Sequence, residues 1–134
     1  MEDTSTEQVK RHYFIDLDWY QPNSRSFSAL AERCLCAKCR QQLNMKTGEI
    51  PAADLLAAIK DCCSSQPGFI TGRLPVSECI FRLFLANGNQ PLDLEEMAEQ
   101  LSEWREGSLY RISAEVLSRI LENDQYYGIR QVQS

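Results

Sequence analysis

Apolar and polar side chains alternate through Tyr13-Phe14-Ile15-Asp16-Leu17-Asp18-Trp19-Tyr20. Tyr13, Ile15, Leu17 and Trp19 share one face, so the period of two predicts a strand with one buried side, or an extended arm laid on a partner. Gln21-Pro22-Asn23-Ser24 then favours a turn. From Ser26 the spacing becomes helical, with Ser26 as a cap and Phe27, Leu30 and Ala31 on the apolar side of a short helix ending near Arg33. Thr47-Gly48-Glu49-Ile50-Pro51 reads as a turn, and Pro51 opens a helix running to Asp61 with Leu55, Leu56 and Ile59 as its stripe. The stretch from Ser64 to Arg73 holds Pro67, Gly68 and Gly72 and keeps no helical period, which predicts a linker and a domain boundary.

Beyond it, Val76, Ile80, Phe81, Leu83, Phe84 and Leu85 make a helix apolar on most sides, as a central helix packed by two others would be. Asn87-Gly88 stops it with a left-handed cap. Asp93 caps a second helix whose stripe is Leu94, Met97, Ala98, Leu101 and Trp104, and its other face is acidic. After a loop from Arg105 to Arg111, Ser113 and Glu115 open a third helix with Val116, Leu117, Ile120 and Leu121 inward. Gly128 breaks the pattern before a short strand, Ile129-Arg130-Gln131-Val132. Helix, turn, helix, loop, helix and strand follow in the order of a small winged helix. The expected class is therefore α+β and mainly helical. The expected divisions are a flexible arm over residues 1–12, a strand and cysteine module over 13–66, a linker over 67–74 and a winged-helix-like domain over 75–134.

Two runs carry a family resemblance: Gly88-Asn89-Gln90-Pro91-Leu92-Asp93-Leu94-Glu95-Glu96-Met97-Ala98, and Ile112-Ser113 followed by Val116-Leu117-Ser118-Arg119-Ile120-Leu121-Glu122-Asn123-Asp124. They resemble the winged-helix domains of the bacterial RNA polymerase delta subunit and the related HARE-HTH modules, which share a glycine, x, Pro-Leu entry into a helix. The resemblance covers about half of the chain. It implies association with transcription or chromosome maintenance, with RNA polymerase or other transcription machinery as the partner.

Charge changes what that half is expected to bind. The net charge is −5, and residues 68–134 hold six basic and ten acidic side chains, against eight and nine in residues 1–67. An acidic winged-helix half disfavours nonspecific DNA binding, because a duplex carries about one negative charge per 1.7 Å. The outward residues of the third helix, Glu115, Ser118, Arg119, Glu122 and Asn123, include a single cation. If DNA is touched, Arg105, Arg111, Arg119 and Arg130 are the contacts expected, and the alternative is scattered surface arginines paired with Glu95, Glu99 or Glu106. Trp19, Tyr20, Tyr126 and Tyr127 are candidate anchors for a protein partner, although core packing is the commoner use of such rings.

The remaining chemistry lies in the cysteines. Cys34-Leu35-Cys36-Ala37-Lys38-Cys39-Arg40 is followed, with 22 residues between Cys39 and Cys62, by Cys62-Cys63. A C-x-x-C turn brings two thiolates to one point, and Lys38 and Arg40 would offset their charge. Cys36, Cys39, Cys62 and Cys63 are the candidate ligands of a structural zinc. Because successive helical residues point about 100° apart, binding through both Cys62 and Cys63 is expected to be strained, with Cys34 or His12 as the alternative ligand. Free thiols, an iron–sulfur cluster or a redox pair at Cys36 and Cys39 are the other readings. Asp16 and Asp18 on one strand face suit Mg²⁺, but with no phosphate loop nearby a solvated face is the expectation.

No apolar run reaches the roughly 20 residues of a membrane span, and the acidic start, Met1-Glu2-Asp3, is unlike a signal peptide, so a cytoplasmic location is expected. A reducing compartment favours metal ligation over disulfides. One histidine and no serine in a nucleophile elbow give no hydrolase. The sequence therefore points to a noncatalytic regulator or adaptor that binds a protein or nucleic acid and is able to self-associate. A thiol redox sensor or iron–sulfur protein is the alternative.

Overall fold

The computed structural model describes residues 11–44, 50–104 and 112–132. Its elements are β1 (His12–Ile15), α1 (Phe27–Glu32), α2 (Ala37–Asn44), α3 (Ala52–Asp61), α4 (Val76–Ala86), β2 (Leu92–Asp93), α5 (Leu94–Trp104), α6 (Ala114–Glu122) and β3 (Ile129–Gln131). The class is α+β, mainly helical, with one small antiparallel sheet in the order β2-β1-β3.

The first strand is shorter than its alternation predicts. Asp16 accepts the Asp18 N–H at 3.0 Å and caps a 3-10 turn over Leu17–Trp19, so the period of two ends at Ile15. Tyr13 and Ile15 are buried as expected, whereas Leu17 is turned outward and Tyr20 goes into the core. Asp16 is thus a cap rather than half of a carboxylate pair on a strand.

β1 is the central strand, between β2 and β3, and two side chains of the carboxy-terminal half hold it there. Asn89, at φ 62°, donates its amide to the Ile15 carbonyl at 2.9 Å and accepts the Ile15 N–H at 2.8 Å. Asp124 accepts three N–H groups, those of Tyr126, Tyr127 and Ile129, and so aims the chain into β3. Between them Gly128, at φ +67°, lies against Trp19 and Tyr20, where a Cβ would stand 2.7 Å from Trp19 Cε3. The Tyr20 hydroxyl donates to the Tyr127 carbonyl.

α4 runs through the middle of the core and buries Cys79, Ile80, Phe81, Leu83, Phe84 and Leu85, which accounts for its apolar character on most sides. α3 packs against α1 and α4, and α5 against α4 and α6. A single apolar cluster joins residues from both halves, including Ile15, Leu55, Phe81 and Leu117. The segment 67–74, expected as a linker, packs Phe69 and Ile70 into that cluster. Arg82 fixes it by donating to the Phe69 carbonyl at 3.0 Å while pairing with Glu78 at 2.9 Å.

Caps explain where the helices begin. Ser26 accepts the Ala29 N–H and Ser113 that of Val116. Asp93 and Glu96 form a reciprocal capping box at α5, with bonds of 2.8 and 2.9 Å. On α6, Leu117 and Leu121 are buried, but Val116, expected inward, is 41% exposed. The helix turns its stripe toward α5, which leaves Val116 at its margin. The residues expected as a turn at 47–49, most of the 1–12 arm and the 105–111 loop lie outside the described residues.

Candidate metal centre

α2 starts immediately after Cys36, whose carbonyl accepts the Arg40 N–H at 2.9 Å. Cys36 thereby occupies the N-cap position, and its sulfur takes the Cys39 N–H that the helix leaves unsatisfied. One turn of helix thus puts the sulfurs of Cys36 and Cys39 together. Arg40, expected from sequence to offset the sulfurs' charge, has its hydrogen bonds elsewhere. Its guanidinium donates to the Glu32 carbonyl at 3.2 Å and ties α2 to the end of α1.

The second pair arrives at the end of α3. The chain leaves helical geometry at Cys62, with φ −135° and ψ −62°, and Cys63 opens a 3-10 turn. The 100° helical offset therefore does not apply, and both sulfurs reach Cys36. Cys36 Sγ lies 3.8 Å from Cys62 Sγ and 3.4 Å from Cys63 Sγ. The sulfurs of Cys36, Cys39 and Cys62 all lie within 4.8 Å of one another. The Cys36 N–H also donates to Cys63 Sγ at 3.1 Å.

The sulfurs of Cys36, Cys39 and Cys62 are grouped as one ion would need, and Cys63 joins them through Cys36 while standing outside that mutual group of three. Four sulfurs at about 2.3 Å from a tetrahedral zinc stand about 3.8 Å apart. A disulfide would need about 2.05 Å, and Cys36, Cys39, Cys62 and Cys63 are free thiols. Cys36, Cys39, Cys62 and Cys63 lie close enough together to bind a metal.

Electrostatics within the cluster are uneven. The Cys39 N–H, and after it the Cys63 thiol, lower the Cys36 thiol to about 7. Burial pushes the Cys39 and Cys63 thiols up. Cys36 thus ionises ahead of Cys39 and Cys63, and a bound cation would be what draws protons from those buried two.

The alternative ligands stand elsewhere. Cys34 Sγ lies 3.7 Å from the Leu30 carbonyl, and burial raises its thiol to about 11. His12 lies opposite Asp93 on the sheet. Its imidazole is near the carboxylates of Asp93 and Glu96, which belong to the cap of α5 and face the positive end of that helix.

Among the described residues expected to meet a partner, Arg130 and Trp19 come together while Arg119 stands in a different concavity. Arg130 lies 5.3 Å over the Trp19 ring, in a groove of about 570 Å³ shared with Phe14, Asp16 and Glu122. Arg119 lines a separate concavity with Ile120, Tyr126 and Tyr127. Arg105 and Arg111 lie outside the described residues. Tyr20 is 3% exposed, a core side chain rather than a contact anchor, and Tyr127 packs on Phe81 at 4.9 Å. Tyr126 is exposed, with Arg25 4.6 Å over its ring. Sequence reasoning missed the Asp124 turn and the roles of Asn89 and Gly128 against Ile15, Trp19 and Tyr20, which are remote in the chain. Comparison with family models, with curated proteins and with solved structures gave no match to this chain.

Proposed function

We propose that this chain is a noncatalytic adaptor, stabilised by a structural zinc ion, that binds a protein partner through its carboxy-terminal half. The observation that carries the reading is the sulfur geometry, in which Cys36 stands 3.8 and 3.4 Å from Cys62 and Cys63. A [4Fe–4S] cluster puts one cysteine on each iron and a [2Fe–2S] cluster two, so three sulfurs mutually within 4.8 Å favour a single ion. Zinc suits a tetrathiolate of this shape and supplies a redox-inert crosslink there. Cys36 and Cys39 would anchor α2 to it, and Cys62 and Cys63 the end of α3. Four protein ligands leave no open position for a substrate, which favours a structural role.

The order α4, β2, α5, α6, β3 supports a winged-helix reading of the second half, with β1 supplying the middle strand of its sheet. α5 turns Glu95, Glu99 and Glu103 outward, and α6 adds Glu115 and Glu122. Such a surface repels a phosphate backbone and suits a protein. With the resemblance of residues 88–124 to polymerase-associated modules, transcription machinery is the partner to test.

Purified reduced protein should co-elute with RNA polymerase at moderate salt, and stripping the metal with a chelator should abolish co-elution and lower the unfolding midpoint. A salt-sensitive DNA shift without polymerase binding would redirect the reading to nucleic acid. Neither interaction in metal-loaded protein would sink it.

A further inference from the structure

Six thiols are present, and exposure divides them sharply. Cys34, Cys39, Cys63 and Cys79 are buried at 7%, 6%, 1% and 0% exposure. The two that reach solvent, Cys36 and Cys62, are neighbours in the same cluster, with sulfurs 3.8 Å apart. Cys36 also has Cys63 Sγ behind it at 3.4 Å. A centre that served only as a crosslink would do as well with all its sulfurs enclosed. Here one edge faces the solvent.

We propose that Cys36 is an oxidative modification site for hydroperoxides, which join it by a disulfide to the Cys62–Cys63 pair and so dismantle the centre. This rests on the zinc reading above. The Cys36 sulfur attacks the peroxide; an S–O bond forms, the O–O bond breaks, and the departing alkoxide or hydroxide takes a proton from water. A sulfur of the pair then attacks the sulfenic acid. An S–S bond forms, the S–O bond breaks, and the oxygen leaves as hydroxide, which takes a proton from solvent to become water. Two thiolates are oxidised by two electrons in all, and one peroxide is reduced to an alcohol, or to water when the oxidant is hydrogen peroxide, and one further water.

Geometry favours the second step. Sulfurs at 3.4 and 3.8 Å need to close to about 2.05 Å, a shift of less than about 2 Å. Neither partner is locked inside a helix. Cys36 precedes α2, and Cys62 and Cys63 sit where α3 gives way to a 3-10 turn. Once two sulfurs are spent on each other, two remain, too few to hold a tetrahedral ion.

The test treats the reduced, zinc-loaded full chain with hydrogen peroxide. It reads released zinc with a chelating dye, free thiols by alkylation, and linked peptides by tandem mass spectrometry. The expected result is release of about one zinc per chain with loss of two thiols. A link from Cys36 to Cys62 or Cys63 accompanies it, and a thiol reductant reverses it with zinc uptake. The Cys34→Ala chain, altered outside the cluster, should respond identically. Zinc retained with every thiol intact would overturn the proposal while leaving the zinc reading standing. So would release through sulfinic acid at Cys36, or a link through Cys34, Cys39 or Cys79. A reduced chain that binds no zinc at the outset would overturn the zinc reading itself.

Discussion

Replacing Gly128 with alanine probes the junction on which the amino-terminal strand depends. The added Cβ would stand 2.7 Å from Trp19 Cε3 and 2.9 Å from Tyr20 Cε1. Ordinary carbon contacts begin near 3.5 Å, so the overlap is about 0.8 Å. Neither ring yields easily. Tyr20 is 3% exposed, bonded through its hydroxyl to Tyr127 and set edge-on against Phe27, and Trp19 is held by Arg130. Alanine at φ +67° adds backbone strain of about 1–2 kcal/mol, and overpacking adds about 1–3 kcal/mol, for a loss of about 2–5 kcal/mol. Gly68→Ala is the matched control: it has φ +82° but nothing within 4 Å of the added atom, so only the backbone part should appear. Urea unfolding of both variants in saturating metal, followed by tryptophan fluorescence, separates the two contributions. Equal losses for the two would refute the close packing of Trp19 and Tyr20 on Gly128.

Asn89→Ala removes both bonds to the Ile15 backbone and should cost about 1–3 kcal/mol in the same assay; a loss below about 0.5 kcal/mol would show that β1 does not need them. Burial, and after it the Glu78 charge, hold the Tyr127 hydroxyl at about 12, and burial also raises Tyr20, against 10.0 when unfolded. Since both folded values are raised, their contribution is complete below pH 10 and fades as pH climbs toward 12 and beyond. Alkaline titration should therefore show late tyrosine ionisation coupled to unfolding, and ionisation of every tyrosine near pH 10 in folded protein would contradict it. Val116→Ser, on the exposed margin of α6, should change stability by less than about 0.5 kcal/mol, whereas a loss above about 1 kcal/mol would mean that this face is covered.

Local signals made much of this fold legible. Ser26 ahead of Phe27, Leu30 and Ala31 marked α1, and Asp93 ahead of the Leu94, Met97 and Leu101 stripe marked α5. The four sulfurs were legible because C-x-x-C and a vicinal pair restrict what a chain can do with them. What was not legible depends on residues far apart. Alternation from Tyr13 to Tyr20 continues past the point where Asp16 bends the chain, and the polar pattern carries no sign of that bend. Tyr20 reads equally well as anchor or core until Gly128 and Tyr127 are brought against it. Asn89 follows a helix stop like any turn residue, and its role appears only when Ile15 lies beside it. Cys62 and Cys63 looked strained because helical geometry was carried through them, whereas the backbone departs from it at Cys62.

Native mass spectrometry of the untagged, reduced chain tests the four-sulfur centre most directly, alongside Cys39→Ser. The wild-type chain should carry about one zinc, its mass lowered by the protons that the thiols lose, and cobalt exchanged into it should show tetrahedral thiolate absorption. Cys39→Ser should lose the metal and unfold earlier. A wild-type chain that emerges metal-free from zinc-replete buffer, and is no less stable than its Cys39→Ser variant, would contradict the centre outright.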